Sequence, residues 1–252
     1  MRLSRIEKAI KNPSKTIQYL FGGKEAKKKV ISSFIKDYNL DLRPLEVISS
    51  FFNIDVKPYY DELLSDNYYN QLENTLIKNW GKDFWLFGFA EARMLYIITR
   101  ILRPKIIIET GVASGLSSFM FLLALNKNSQ GKLFSIDLPP NDQHFPTNKK
   151  QGWLVPDSLK ECWTVKIGDA KKILPSILNE LHECDLFLHD SEHSYKHMTW
   201  EFETVWPYLK KLLLTDDIYQ NNAFDDFVDR HKISKKSKIS KRFGIILVPD
   251  AN

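Results

Sequence analysis

The 252-residue sequence predicts an α/β domain with a doubly wound, mostly parallel sheet and an N-terminal helical extension. Three observations predict it. After Gly88, short runs of consecutive apolar residues alternate with helical patterns, as in a parallel sheet covered on both faces. Those runs stop at carboxylates or glycines. Residues 1–84 contain no comparable run, only helical spacing and irregular stretches.

In the extension, Lys24 to Tyr38 has Val30, Phe34 and Tyr38 at helical spacing. Pro44 to Phe52 reads as a short helix, with Asp41 near its start and proline in the first turn. Asp61 to Trp80 reads as one longer helix, with Leu64, Tyr68, Leu72 and Leu76 on a single face and Gly81 stopping it. The character of the chain changes near Trp85, so we read residues 1–84 as a helical extension and 85–252 as the main domain.

Within that domain, a helix carrying Leu95, Ile98 and Leu102 stops before Pro104, and Lys105 to Glu109 follows as the first strand. A helix from Ser117 to Leu125 leads to a second strand, Leu133 to Ile136. Trp163 to Ile167 is a third strand, followed by a helix over 173–181; Asp185 to His189 is a fourth. Ser194 to Leu209 reads as an amphipathic helix with Tyr195, Met198, Phe202, Val205 and Leu209 inward. Leu212 to Thr215 and Gly244 to Val248 are the last two strands. The long connection from Leu138 to Glu161, with Pro139, Pro140, Pro146, Trp153 and Pro156, is expected to act as a lid or binding loop. The basic run from His231 to Arg242 reads as the solvated flank of a hairpin.

Composition narrows the class. With 43% hydrophobic and 27% charged residues, the chain can bury a full core and is not a disordered or fibrous protein. A net charge of +5 does not by itself make a nucleic-acid binder, and no DNA partner is expected. Two cysteines, Cys162 and Cys184, form neither a disulfide framework nor a multi-cysteine zinc site. The N-terminus lacks the apolar core of a signal peptide, and no run approaches membrane-spanning length. The expected location is the cytoplasm, with homo-oligomerisation possible.

Ligands of an open α/β sheet bind beyond the carboxyl ends of its strands, where the strand order reverses. At those ends stand Glu109-Thr-Gly-Val-Ala-Ser-Gly115, Asp137, Gly168-Asp169, Asp190-Ser-Glu-His193 and Asp216-Asp217. Gly111 permits a tight turn, Gly115 lets the next helix start close to the sheet, and the amides around Ser114 to Ser117 suit an anionic group. A dinucleotide fingerprint would need glycine at Ala113 and Leu116, and a P-loop would need Gly-Lys at Leu116-Ser117. Asp137 is placed to accept from two ribose hydroxyls. A loop poor in glycine beside two acidic strand ends favours S-adenosylmethionine (SAM) over a nicotinamide cofactor. Asp169 reads equally as a ligand contact and as a helix N-cap.

Ile106-Ile-Ile-Glu-Thr-Gly-Val-Ala-Ser-Gly-Leu-Ser-Ser118 resembles the first motif of the class I SAM-dependent methyltransferases, with their Rossmann-like fold. Leu186-Phe-Leu-His-Asp-Ser-Glu-His-Ser-Tyr195 and Leu213-Leu-Thr-Asp-Asp-Ile218 resemble the branch of cephalosporin-hydroxylase-like and macrolide-sugar O-methyltransferases. The resemblance covers about residues 88–250. It implies that Glu109, Gly111, Ala113, Ser114, Gly115 and Ser117 hold the methionine moiety of SAM, that Asp137 binds the ribose, and that Asp169 lies near the adenine. It further implies a divalent cation, Mg²⁺ or another, on Asp190, Asp216 and Asp217, with Asp190 and His193 catalytic and His193 the general base. The Gly-Gly usual before the fifth strand is replaced by Tyr208-Leu-Lys-Lys-Leu-Leu-Leu214.

The chemistry is consistent. Methyl transfer from a sulfonium needs an aligned acceptor and, for a hydroxyl, removal of its proton; a hard cation prefers oxygen ligands and lowers a bound hydroxyl's pKa. Asp216 and Asp217 are neighbours and can converge only if the strand has ended at Thr215. The expected function is methylation of a hydroxyl on a small molecule, sugar or glycan. The alternatives are a methyltransferase acting on RNA or protein, and a nicotinamide-binding oxidoreductase.

Overall fold

The structure is a computed structural model that describes residues 43–79, 89–139 and 149–249. The helix expected over 24–38 lies outside the described residues, as does most of the proline-rich part of the long connection. Eight α-helices are described: α1 Arg43–Phe52, α2 Lys57–Leu64, α3 Asn67–Asn79, α4 Phe89–Leu102, α5 Leu116–Asn128, α6 Ala170–Leu181, α7 Tyr195–Val205 and α8 Ala223–Arg230. The strands are β1 Ile106–Thr110, β2 Lys132–Asp137, β3 Trp163–Ile167, β4 Cys184–His189, β5 Leu209–Thr215, β6 Lys236–Lys238 and β7 Gly244–Leu247.

Two compact units are resolved: Leu64 and α3 belong to one, residues 43–63 and everything from α4 onward to the other. The single helix expected over 61–80 is therefore two. Asp66 interrupts it, and its Oδ1 accepts from the amides of Tyr68 (2.8 Å) and Tyr69 (3.2 Å) as an N-terminal cap for α3. Tyr69, Leu72 and Leu76 are buried and Leu64 is exposed.

The seven strands follow the order β3-β2-β1-β4-β5-β7-β6. β1 to β5 are parallel, and β7 is antiparallel to both β5 and β6. The sequence order reverses between β1 and β4. Alternation along each strand divides the core into two layers. Ile108, Phe187, Leu213 and Ile246 face a cluster formed with Leu174, Met198, Phe202, Phe224 and Phe227 from α6, α7 and α8. Their neighbours Ile107, Leu186, Leu212 and Ile245 are buried on the other side. There α5, apolar around nearly its whole circumference, packs against α4 and β2. Arg100 on α4 holds Glu62 on α2 through Nε (2.7 Å) and Nη2 (2.9 Å).

Three details depart from the expected pattern. α7 stops at Val205, a 3-10 turn over Trp206–Tyr208 redirects the chain, and Leu209 is the first residue of β5 rather than the last of a helix. Tyr195 is exposed, its hydroxyl donating to Asp226 (2.9 Å). The polar stretch after Asp217 forms α8, whose Ala223, Phe224, Phe227 and Val228 are buried.

Candidate active site

Thr110, His189 and Thr215 end β1, β4 and β5 at one level of the sheet. The ladders then continue for one more bond: Asp190 N–H donates to the Thr110 carbonyl (2.9 Å) and Asp216 N–H to that of His189 (2.9 Å). Gly111, Asp190 and Asp216 consequently stand side by side at the reversal point. On the other flank, Gly111 N–H donates to the Ile136 carbonyl and Gly168 N–H to that of Asp137, both at 2.8 Å.

Gly111 has φ +88°, and a Cβ there would lie 2.0 Å from the Asp190 carbonyl oxygen. The next loop of the sheet thus requires glycine at this position. Gly115 has the same φ, and a Cβ on it would meet Gly152 Cα at 2.6 Å. The end of the long connection lies on the glycine loop, with Gly152 N–H donating to Ala113 (2.9 Å) and Leu154 N–H to Ser114 (3.0 Å). Leu154 and Val155 are buried, and Lys149 Nζ sits over the Trp153 ring at 4.9 Å. The described end of the expected lid is therefore an anchored segment.

Glu109 points inward. It has no exposed surface, and three hydroxyls donate to it: Ser117 (2.9 Å), Ser118, and Ser135 (2.6 Å), the last in turn accepting from Trp163 Nε1 (2.7 Å). Burial raises its carboxyl to about 7 despite these donors. Ser114 and Ser117 are also buried. In this arrangement Glu109 and Ser117 brace the loop from beneath instead of presenting side chains to a ligand.

Asp137 lies at the rim. Its Oδ2 accepts from Ala113 N–H and its Oδ1 from Leu138 N–H, both at 2.9 Å, which fixes the carboxylate between the glycine loop and the end of β2. Burial raises its pKa, opposed by those backbone donors. Beside it, Leu138 is 62% and Ile167, at the end of the edge strand β3, 48% exposed, which makes an apolar rim. Asp169 caps α6, accepting from Lys171 N–H at 2.9 Å, so its helix-capping reading is realised.

Asp190, His193, Asp216 and Asp217 come together as expected. β5 ends at Thr215 and Asp217 has φ +52°, which turns both carboxylates to the same side. His193 Nε2 is 3.6 Å from Asp190 Oδ1, and Nδ1 is 3.7 Å from Asp217 Oδ2, beyond hydrogen-bond range. Asn221 Nδ2 fixes the loop by donating to the His193 carbonyl (2.9 Å). Burial and the adjacent His189 ring lower the His193 pKa to about 4, leaving it neutral at ordinary pH. Burial and neighbouring carboxylates raise Asp190, and burial above all raises Asp216 to about 6.

Two features of the site were not expected. Arg242, assigned to a solvated flank, reaches into the carboxylates. Its Nη2 is 2.5 Å and its Nε 3.2 Å from the two oxygens of Asp216, and Nη2 lies 2.9 Å from Asp217 Oδ1. The Asp217 contact lacks hydrogen-bond geometry and is one of charge alone. Beneath the site, Glu201 on α7 is fully buried and accepts from Thr110 Oγ1 (2.7 Å) and Ser191 Oγ (2.9 Å), while His189 Nδ1 (2.6 Å) and His197 Nε2 (2.9 Å) lie against it. The sequence marks Glu201 only as a carboxylate among the inward residues of its helix. Arg242 carries no local mark.

One oxygen or nitrogen from each of Asp190, His193 and Asp216 lies within 4.8 Å of the others, close enough to share a cation. As the side chains stand, however, they do not fit one. Both oxygens of Asp216 are engaged by a guanidinium that also contacts Asp217, and a dication would have to lie against a positive charge.

The strand order and the site at its reversal define an α/β domain with the Rossmann-like fold of class I methyltransferases. Residues 108–218 match the family described as Methyltransferase domain. Solved structures similar to the chain include an O-methyltransferase from Bacillus cereus in complex with SAH, at 15% identity and TM-score 0.53, covering 73% of this chain and 91% of that one. An SAH-bound methyltransferase from Podospora anserina has 12% identity and TM-score 0.54, covering 73% and 89%. A methyltransferase from Geobacter sulfurreducens has 16% identity and TM-score 0.52, covering 73% and 90%. At these identities the likeness is one of fold. No curated protein matches the sequence. No helix among the described residues is long and apolar enough to cross a membrane.

Proposed function

We propose that the protein methylates a hydroxyl of a small molecule or sugar, taking the methyl group from SAM. The observation that carries the reading is a neutral histidine, His193, held between two carboxylates one loop away from the glycine turn at the strand-order reversal. The chain's rim suits the donor. Asp137 offers a fixed carboxylate for vicinal ribose hydroxyls, Leu138 and Ile167 offer apolar surface for an adenine, and the glycine loop offers backbone for the methionine end. Glu109 and Ser117 act in this reading by shaping that loop, and Asp169 by starting α6 beside it.

Bound SAM supplies an activated methyl group on a sulfonium, which becomes the neutral thioether of SAH as the methyl leaves. The protein orients the acceptor oxygen in line with that bond and removes its proton. His193 Nε2, which has no hydrogen-bond partner among the described residues, receives the proton. Asp190 and Asp217 face the two ring nitrogens and stabilise the imidazolium as it forms.

Calorimetric titration of the full chain with SAM and with NAD(P) tests the donor. SAM is expected to bind, and Asp137→Ala to weaken it roughly 10- to 100-fold, the cost of losing a charge-assisted pair of hydrogen bonds. Binding of NAD(P) without SAM overturns the reading. Incubating sugar and phenolic acceptors with methyl-labelled SAM, read by mass spectrometry, then identifies the acceptor class. Under the same conditions His193→Ala is expected to lower turnover by about 10²–10⁴ while leaving SAM affinity unchanged.

A further inference from the structure

Arg242 belongs to the turn between β6 and β7, a segment remote in sequence from every other group of the site. Its position is built. Its carbonyl accepts from Ile218 N–H (2.9 Å), immediately after the two aspartates, and its own N–H donates to Ser240 Oγ (3.1 Å). Ser240 Oγ donates to Glu91 Oε1 on α4 (2.9 Å), and Phe243, the next residue, is fully buried. The turn is thereby fastened to the β5 end, to α4 and to the core. The guanidinium uses Nε and Nη2 on Asp216, a carboxylate only 2% exposed, and the side chain keeps 35% of its own surface open. Nη1 makes no hydrogen bond among the described residues.

We infer that Arg242 fills the position a divalent cation would take among Asp190, Asp216 and Asp217, so that the site holds no such cation and presents guanidinium N–H donors to the acceptor oxygen instead. A guanidinium is permanently charged and planar, and it meets a carboxylate in a two-point fork. Held in this way it gives the carboxylates a positive partner and leaves donors on the open side, where an acceptor beside His193 would lie. The inference rests on the proposed methyl transfer for its chemical purpose, but the cation question is decided independently of it.

The test is titration of Mn²⁺ into the full-length protein, followed by calorimetry and by the electron paramagnetic resonance of free Mn²⁺. Wild type is expected to bind none at millimolar concentration. Arg242→Ala uncovers the carboxylates and is expected to bind Mn²⁺, with a rise in melting temperature that Asp216→Asn abolishes in the double variant. SAM affinity, read at the distant Asp137, reports that the variant is folded. Mn²⁺ binding by wild type that is lost in Asp216→Asn overturns the inference, as does an Arg242→Ala protein that binds SAM but no Mn²⁺. In the acceptor assay, turnover is expected to persist in chelator and to fall about 10²-fold in Arg242→Ala, with Arg242→Lys between; chelator-sensitive turnover restored by Mg²⁺ also overturns it. If wild type binds no SAM, the methyltransferase reading fails; a cooperative urea transition then reports that the variant is folded, and the Mn²⁺ result still stands.

Discussion

Glu109 combines complete burial with three serine hydroxyls and, among the described residues, no cationic partner. Hydrogen bonds favour its ionised form, burial opposes it, and burial prevails, taking the carboxyl from 4.5 to about 7. Between these values the folded chain holds a proton that the unfolded chain has released. The stabilising contribution is therefore complete below pH 4.5 and is lost as pH rises through 7, by about 3 kcal/mol in all. Glu109→Gln keeps the shape and cannot ionise. Urea unfolding at pH 5, 6, 7 and 8 is expected to show the variant near wild type at pH 5 and up to about 3 kcal/mol more stable at pH 8. A gap independent of pH would mean that Glu109 is ionised in the fold. The sequence marks this residue as significant, since a carboxylate ends an apolar strand. It does not show which way the carboxylate turns, because the serines that claim it lie 8, 9 and 26 residues away.

Strands and their connecting helices were legible because two-sided burial imposes apolar runs that no surface segment needs. β1 to β4, β7 and the helices after β1 and β3 fall where the runs and periods put them, whereas β5 begins at Leu209, three residues earlier than its apolar run suggests. Elements whose boundaries depend on a single polar contact were less legible. Asp66 divides α2 from α3 by capping, and Pro207 in a 3-10 turn ends α7 before an apolar period that continues unbroken into β5. β6 is three residues long, with two exposed lysines, and has no pattern of its own. The glycine loop was legible as a turn, but its glycines serve contacts with other loops. Gly111→Ala would drive a Cβ against the Asp190 carbonyl while keeping a φ that side chains avoid. The variant is expected to lose more than about 2 kcal/mol and to bind SAM at least 10-fold more weakly, by urea unfolding and calorimetry. Unchanged stability and affinity would show that the two loops can separate freely and that their close approach does not build the site.

The groups that unite the sheet with its site are paired across long stretches of chain, which is why no local pattern discloses them. Arg242 joins the last hairpin to the end of β5, and Glu201 joins α7 to β1, β4 and the loop after β4. Glu201 is buried like Glu109 but titrates the other way. Burial alone would raise its carboxyl; the imidazoles of His189 and His197, with their hydrogen bonds, outweigh burial and bring it from 4.5 down to about 2. Its stabilising contribution is present above pH 4.5, about 3 kcal/mol, and is lost as pH falls through 2. The two carboxylates thus limit the fold from opposite sides, Glu201 against acid and Glu109 against alkali. Glu201→Ala, which leaves four polar groups in the interior without their acceptor, is expected to cost about 3–5 kcal/mol at pH 7. Glu201→Gln keeps one oxygen acceptor and is expected to cost less. Against wild type, the Glu201→Gln penalty should shrink as pH falls from 4.5 toward 2, whereas the Glu109→Gln advantage should grow between pH 5 and 8. Urea midpoints measured for both variants across the two windows check the pair together. Penalties that move in the same direction with pH would show that a shared change in the denatured chain, rather than these two buried groups, governs the response.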